Sequence, residues 1–140
     1  MKIILFLSLL IWVIPGFGKV KIQKPRSQHV TAFAIIVDEM TLEKTGGAVE
    51  AYRDALEADG LSTYIVSGNW KNPDEVKAEI IKLNKRKPVL EGVVFIGDIP
   101  VALIRNAQHM TTAFKMNEDE FPFPESSVPS VRFYDDLHLT

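Results

Sequence analysis

One stretch, Val89–Pro100 (VLEGVVFIGDIP), constrains the fold of this chain more than any other, because it contains the short, continuous apolar run Val93–Ile96. It is rich in β-branched and aromatic residues and ends in a Gly97-Asp98 turn signal, which predicts a strand buried on both faces. Strands of that kind belong to parallel sheets covered by helices. Ligands and catalytic groups in such sheets lie beyond the carboxyl ends of the strands. We therefore expect this run to form the central strand of an α/β sheet, with Asp98 at its functional edge.

Two further strands and two helices are predicted before this run. The strands cover Thr31–Asp38 and Ser62–Ser67, and a helix covers Gly46–Asp59, with residues 39–45 as a loop. A second helix is predicted from Asn72 as N-cap, because a proline and two acids follow it. With short connections and right-handed crossovers, this β-α-β-α-β order predicts an α/β fold of three layers, in which helices flank a mostly parallel sheet.

The spacing of apolar residues predicts which side of the first helix faces the sheet. The residues expected to be buried are Ala48, Val49, Tyr52, Ala55 and Leu56. The residues expected on the solvent side are Glu50, Arg53, Asp54 and Glu57. Gly60 is placed to end the helix in a left-handed conformation. The basic residues expected at the C-terminal end of the second helix, where the dipole favours cations, are Lys82, Lys85, Arg86 and Lys87.

The first 18 residues have the pattern of a secretory signal peptide. Met1-Lys2 supplies a positive charge, Ile3–Ile14 is almost purely apolar, and Gly16-Phe17-Gly18 offers small residues for cleavage. The apolar run is shorter than the roughly 20 residues that span a bilayer. We expect a secreted or periplasmic protein that keeps no stable membrane anchor once residues 1–18 are removed; an uncleaved anchor is the alternative.

Composition argues against several classes of function. The chain has 140 residues and a formal net charge of −2, so nothing indicates a nucleic-acid surface. Asp38-Glu39-Met40 follows the first predicted strand in place of a glycine-rich loop, which leaves a dinucleotide site without support. The absence of cysteine excludes disulfides, thiolate metal sites and a cysteine nucleophile within these residues. We expect no cofactor apart from calcium.

The remaining segments lie outside the predicted core. Lys19–Val30 is basic and polar and is expected to be an exposed lead-in to an α/β domain over residues 31–140. Residues 117–130 contain four acids and three prolines, which predicts a long surface loop or insertion. Val131–Thr140 has the pattern of the start of a further strand or hairpin. We therefore expect the domain to be incomplete.

Four aspartates are candidate binding residues. If the strands that end in Asp38 and Asp98 are neighbours, their carboxylates meet at one edge of the sheet and could bind a divalent cation or share a proton. Such a pair is similar to the phosphoacceptor pocket of a receiver domain, although no lysine ends a later strand. In the alternative, each carboxylate shapes a loop by accepting bonds from backbone N–H groups. Asp135 and Asp136 form a second candidate calcium site or a solvated turn.

Histidines and serines give weaker signals. His29, in the lead-in, is expected to be solvated. His109 and His138 lack the helical partner of a zinc motif and are expected to be structural or solvated. The serines near the C-terminus lack the surroundings of a nucleophile elbow.

Four segments of Ala51–Thr140 together resemble a known family. They are Tyr52-x3-Leu56-x3-Gly60-Leu61 with the strand after it, Pro73–Leu83, Gly92–Pro100 (GVVFIGDIP) and Ser130–Leu137 (SVRFYDDL). In this order they resemble the N-terminal part of the catalytic region of gingipain-like cysteine peptidases. Val131 departs from that pattern, since the family usually has aspartate there.

The resemblance implies a caspase-like α/β fold and a protein or peptide substrate. In the family, the catalytic His, in a His-Gly context, and the nucleophilic Cys lie further along, and neither maps onto a position here. The resemblance therefore implies the N-terminal portion of a secreted cysteine endopeptidase, without catalytic residues of its own and inactive in isolation. The alternatives are a non-enzymatic secreted binding or scaffold module and the acid-pair metal site.

Overall fold

The computed structural model describes residues 20–104, 116–117 and 119–137. The strands are β1 (Lys21–Gln23), β2 (Thr31–Asp38), β3 (Leu61–Gly68), β4 (Val89–Ile96), β5 (Leu103–Ile104) and β6 (Val128–Pro129). The helices are α1 (Glu39–Ala58), α2 (Pro73–Asn84) and α3 (Arg132–Asp135). The predicted signal peptide lies outside the described residues. Within the part described, no helix has the length and hydropathy needed to cross a bilayer.

Four strands form one mixed sheet in the order β1-β3-β2-β4, which confirms the α/β class. The three strands predicted from sequence run parallel, with β2 between the other two, and β1 pairs antiparallel with β3. The prediction that Val89–Pro100 holds the central strand is wrong. Among the described residues β4 pairs with β2 alone, and its side chains are half-buried or exposed, whereas Ile35 and Ile36 of β2 are fully buried.

Apolar side chains from the two faces of the sheet form two separate cores. On one face, Ile36 and Val66 pack with Val76 and Leu83 of α2 and with Tyr134 of α3. On the other face, the core residues are Ile35, Val37 and Ile65, packed with Val49 of α1. Successive residues of a strand point to opposite faces, so a continuous apolar run such as that of β2 fills both cores.

Helix α1 differs from the prediction in its start and in its buried side. It begins at Glu39, directly after β2, so the predicted loop over residues 39–45 is wrong. Val49 is buried as expected, but Arg53 and Glu57 are also buried, while Tyr52 is 40% exposed. The predicted residues that are exposed instead of buried are Ala48, Tyr52 and Ala55. The C-terminal end is as expected, since Gly60 has a φ of +94°.

The buried polar side of α1 holds the lead-in segment. The two carboxylate oxygens of Glu57 accept the backbone N–H groups of Arg26 and Ser27, both at 2.9 Å. Buried Arg53 donates to Gln23 and to Glu50. The lead-in is thus fastened to the domain and contributes β1, although most of its residues are exposed as predicted. The contacts between the lead-in and α1 join residues about 30 positions apart, so local sequence patterns did not predict them.

The described residues after β4 form a small ribbon and a short helix. Strands β5 and β6 pair antiparallel, so two residues of the predicted loop over 117–130 belong to a strand. The other described residues of that loop are turns or irregular. Instead of the predicted strand, residues 132–135 form α3, which places the Tyr134 ring 4.7 Å from that of Phe95 on β4.

Candidate functional site

The candidate site lies at the carboxyl edge of the sheet, where β2 and β4 end side by side. The chain passes from β2 to β3 on one side and reaches β4 on the other, so the strand order reverses between β2 and β4. Open α/β sheets bind ligands in the crevice at such a switch point. Asp38 and Asp98 both lie at this edge, but the contact between them is made by the backbone N–H of Asp98, which donates to Asp38 Oδ2 at 2.8 Å.

The carboxylate of Asp38 is engaged by backbone groups rather than by the other carboxylate. It caps α1 by accepting the Thr41 N–H on Oδ1 at 2.9 Å, while Oδ2 accepts from Asp98. Burial acts to raise the pKa of Asp38. The hydrogen bonds from the Thr41 hydroxyl and from the Thr41 and Asp98 amides outweigh burial and lower the pKa below its ordinary value of 3.8. Asp38 is therefore held ionised and acts as a loop-shaping acceptor, as in the alternative interpretation of the sequence.

The conformation of residue 97 and its closeness to Asp38 explain why a glycine precedes Asp98. The φ of Gly97 is +86°, a conformation that L side chains rarely adopt. A Cβ at this position would lie 1.9 Å from Asp38 Oδ2 and 2.4 Å from the Thr41 hydroxyl oxygen. The turn after β4 can close over the Asp38 carboxylate only when this residue has no side chain. Glycine at position 97 is thus required by backbone geometry, whatever chemistry the edge performs.

An acidic cleft of about 250 Å³ opens beside Asp38. The residues that line it are Asp38, Glu39, Met40, Glu43, Gly68, Asn69, Trp70 and Asp98. Asp98 is exposed, and Glu39 accepts a bond from Lys21 at 2.5 Å. The N-terminal N–H groups of α1, which would otherwise attract an anion, are partly occupied by Asp38. The charge of the cleft therefore suits a cationic group better than a phosphate.

Trp70 is the residue of this cleft that sequence reasoning missed. It lies just after β3, is buried, and donates its indole N–H to the carbonyl of Val37 at 3.1 Å. Its ring packs over Gly68, where a Cβ would lie 3.2 Å from it. A tryptophan directly after a predicted strand and a Gly-Asn turn was the available signal. Trp70 therefore ties the ends of β2 and β3 together and forms the apolar wall of the cleft.

The other predicted site residues do not join this edge. Asp135 and Asp136 are exposed at the end of α3 and do not line the cleft. Across the described ranges, no three histidine, cysteine or acidic side chains converge as they would to hold a metal ion. Calcium binding by the four aspartates stays a prediction. His29 is half-buried rather than solvated, with no partner for its Nε2, and His109 and His138 lie outside the described residues.

Tyr134 fixes the segment after the ribbon to this edge. Its hydroxyl donates to the carbonyl of Pro100 at 2.5 Å, and its ring packs between those of Phe95 and Phe133. Burial and, to a smaller extent, the charge of Asp74 raise the pKa of the Tyr134 phenol. The phenol is thus held in its neutral, hydrogen-donating form.

We expect Tyr134→Ala to reduce the free energy of unfolding by about 3–4 kcal/mol, because the ring and its contacts are lost. Tyr134→Phe keeps the ring and removes only the hydroxyl bond, which predicts a loss of about 1 kcal/mol. Urea unfolding followed by far-UV circular dichroism measures both, with exposed Tyr52→Phe as the control. Parent-like stability of Tyr134→Ala would show that α3 does not belong to the core.

Comparisons with known proteins provide no relative for this chain. No family model, curated protein or solved structure matches it. The function must therefore be inferred from the geometry of the carboxyl edge and from the segments that carry the family resemblance.

Proposed function

We propose that this chain is the N-terminal portion of a secreted gingipain-like cysteine endopeptidase. Its sheet and helices form part of a three-layer, caspase-like domain whose substrate is a protein or peptide. The nucleophilic Cys and its His belong to the following part of that domain. A thiolate mechanism needs both groups, and the chain contains no cysteine, so these 140 residues alone do not cleave peptide bonds.

This proposal is supported mainly by a contact between two of the segments that carry the family resemblance, GVVFIGDIP and SVRFYDDL. GVVFIGDIP contributes Phe95 and Pro100, and SVRFYDDL contributes Tyr134, which touches both. Segments that lie more than 30 residues apart in sequence thus form one unit beside the carboxyl end of β4. Two segments that carry the resemblance and also touch in the fold support the proposal better than either segment alone.

The edge of β4 that has no partner among the described residues is consistent with a sheet that has a further strand beside it. Val93 and Phe95 pack into one core and Val94 and Ile96 into the other, so β4 is apolar on both faces. A strand of that kind is suited to a parallel sheet with neighbours on both sides. Among the described residues it has a neighbour only on the β2 side. A further strand beside β4, with helices above and below, would complete its burial and bring new side chains to the carboxyl edge.

Within such an enzyme this chain would supply a scaffold rather than reacting groups. The Gly97-Asp98 turn is locked by the Asp38 carboxylate, and Trp70 closes the neighbouring strand ends. A rigid carboxyl edge matters because a Cys–His pair must be held at hydrogen-bonding distance to react. The exposed carboxylate of Asp98 and the acidic cleft would then border the substrate path.

The reading frame beyond Thr140 tests the proposal. We expect it to encode a His-Gly sequence followed by a cysteine. The extended product should hydrolyse fluorogenic peptides and label with a thiol-directed inhibitor, and both signals should disappear when that cysteine is changed to alanine. The 140-residue chain serves as the inactive control.

Two outcomes would overturn the proposal. One is an extended reading frame that lacks the His-Gly and Cys pair, which would favour the non-enzymatic binding or scaffold module. The other is peptide hydrolysis by the 140-residue chain itself, which would require a different nucleophile. A stop directly after residue 140, together with cooperative unfolding of the chain, would also favour the module.

A further inference from the structure

A cluster of exposed cations lies at the opposite, amino-terminal edge of the sheet. Helix α2 ends at Asn84, and Lys85, Arg86 and Lys87 follow it in the turn that leads to β4. Lys82, in the last turn of α2, is paired with Glu79 at 2.6 Å. The three turn cations form no ion pair with any of the described residues. The helix dipole acts only within the last turn, so it explains Lys82 and Lys85 but not Arg86 and Lys87.

Two exposed aliphatic side chains accompany these cations. Thr31 of β2 pairs in register with Val89 of β4, which places Val30 beside the basic turn. Val30 is 90% exposed and Val89 is 51% exposed. The acids nearest in register are Asp59, before β3, and Glu91 on β4. Three consecutive cations thus lie close in the chain and in register to two exposed valines that contribute little to the core.

Charge is separated along the strands of the sheet. The acidic side chains of the cleft, Asp38, Glu39, Glu43 and Asp98, lie at the carboxyl edge. Strands of eight residues separate the two edges by about 26 Å, well beyond the screening length of about 8 Å at physiological salt. An anionic surface would therefore attract the basic turn while the acidic cleft remains screened from it.

We propose that the basic edge, defined as Val30, Lys85, Arg86, Lys87 and Val89, docks on the surface of an anionic lipid bilayer. The three cations would lie among the headgroups, as basic clusters do on anionic membranes. The two valines favour a bilayer over a soluble polyanion, because aliphatic side chains gain free energy only at a surface with an apolar boundary. The acidic cleft would then face the solution. This inference is independent of the proposed peptidase function.

Sedimentation with sucrose-loaded vesicles tests this docking. The probes are vesicles of phosphatidylcholine with and without phosphatidylglycerol, and the readout is the ratio of the two partition coefficients. The full chain is used for the parent and for every variant, so any vesicle binding by residues 1–19 is common to all of them. We expect the triple variant Lys85→Gln, Arg86→Gln, Lys87→Gln to lower the ratio about a hundredfold, since each cation near an anionic bilayer contributes about fivefold.

A charge-matched control distinguishes the basic edge from net charge. The variant Lys24→Gln, Lys44→Gln, Arg132→Gln removes three exposed cations elsewhere, and it should change the ratio much less. Val30→Ser with Val89→Ser should lower partition into the anionic vesicles about tenfold. An equal loss in both triple variants, or no preference of the parent for anionic vesicles, would overturn the proposal. Binding to heparin that survives the valine changes, without vesicle binding, would identify a soluble polyanion and overturn it as well.

Discussion

Gly97→Ala is expected to lower the free energy of unfolding by about 3–4 kcal/mol. A left-handed conformation costs an alanine about 1–2 kcal/mol. The new Cβ would also lie 1.9 Å from Asp38 Oδ2, so the carboxylate would have to move away from the amide of Asp98. A partly buried N–H that loses a charged acceptor costs about 1–3 kcal/mol more. Urea unfolding followed by far-UV circular dichroism would measure the sum.

Gly60→Ala is the matched control for this prediction. Gly60 has a φ of +94°, similar to that of Gly97, but a Cβ there would meet no atom within 4 Å. Gly60→Ala should therefore cost only the conformational part, about 1–2 kcal/mol. Equal losses in the two variants would contradict the role assigned to the contact between Gly97 and Asp38.

Asp38→Asn is expected to cost about 2–3 kcal/mol at neutral pH, although asparagine is as good an N-cap as aspartate. The reason is that both carboxylate oxygens are acceptors here, one from Thr41 and the other from Asp98. Asparagine can accept on one side only, and its amide NH₂ would face the second N–H donor. One partly buried donor is then left without a partner.

The cost of Asp38→Asn should depend on pH with a defined sign. Because the folded state lowers the pKa of Asp38, its stabilisation is fully present above the ordinary pKa of 3.8. It is lost as the pH falls through the lower pKa of the folded protein. Unfolding curves of parent and variant should thus converge in acid. Exposed Asp59→Asn is the control, and a difference that stays constant down to low pH would contradict the assignment.

The effects of substituting Gly97 and Asp38 on stability should also be coupled. In an Asp38→Ala background the closest clash of a residue-97 Cβ is removed, while the left-handed conformation and the approach to Thr41 remain. Gly97→Ala should therefore cost about 1–2 kcal/mol less in that background than in the parent, as expected for residues in direct contact.

Local patterns were sufficient to predict the three parallel strands and the second helix. Thr31–Asp38 is mostly apolar and forms a strand with the predicted bounds, and the apolar run Val93–Ile96 lies within β4. Asn72 caps α2 by accepting the N–H of Glu75, as the sequence of proline and acids indicated. These features depend on neighbours within a few residues, and this is the range over which sequence patterns carry information.

The buried side of α1 could not be predicted because it depends on distant partners. Alanines are small enough to remain exposed at little cost, whereas Glu57 is buried because it satisfies two amides of the lead-in. Hydrophobic periodicity does not predict polar contacts of this kind between distant segments. The wrong start of α1 has a similar origin, since Asp38 was interpreted as the end of a strand and is also the cap of the next helix.

The position of β4 in the strand order depends on the topology of the sheet, and the composition of the strand does not determine it. A run apolar on both faces predicts neighbours on both sides, and this chain shows only one of them among its described residues. In the candidate site, the pairing of Asp38 with the Asp98 turn followed from strand order. The sequence did not predict which backbone N–H groups would engage the Asp38 carboxylate, or that Trp70 would lie in the same cleft. Both depend on the three-dimensional arrangement of the strand ends.

The two outer strands of the described sheet, β1 and β4, differ in how readily a further strand can pair with them. β1 has three residues, begins with Lys21, and is followed closely by Lys24 and Pro25, all features that discourage the addition of another strand. β4 offers eight residues with Glu91 as its single charge. Assembly or aggregation of this chain is thus polarised, and any strand added to the sheet, from the same molecule or another, joins at β4.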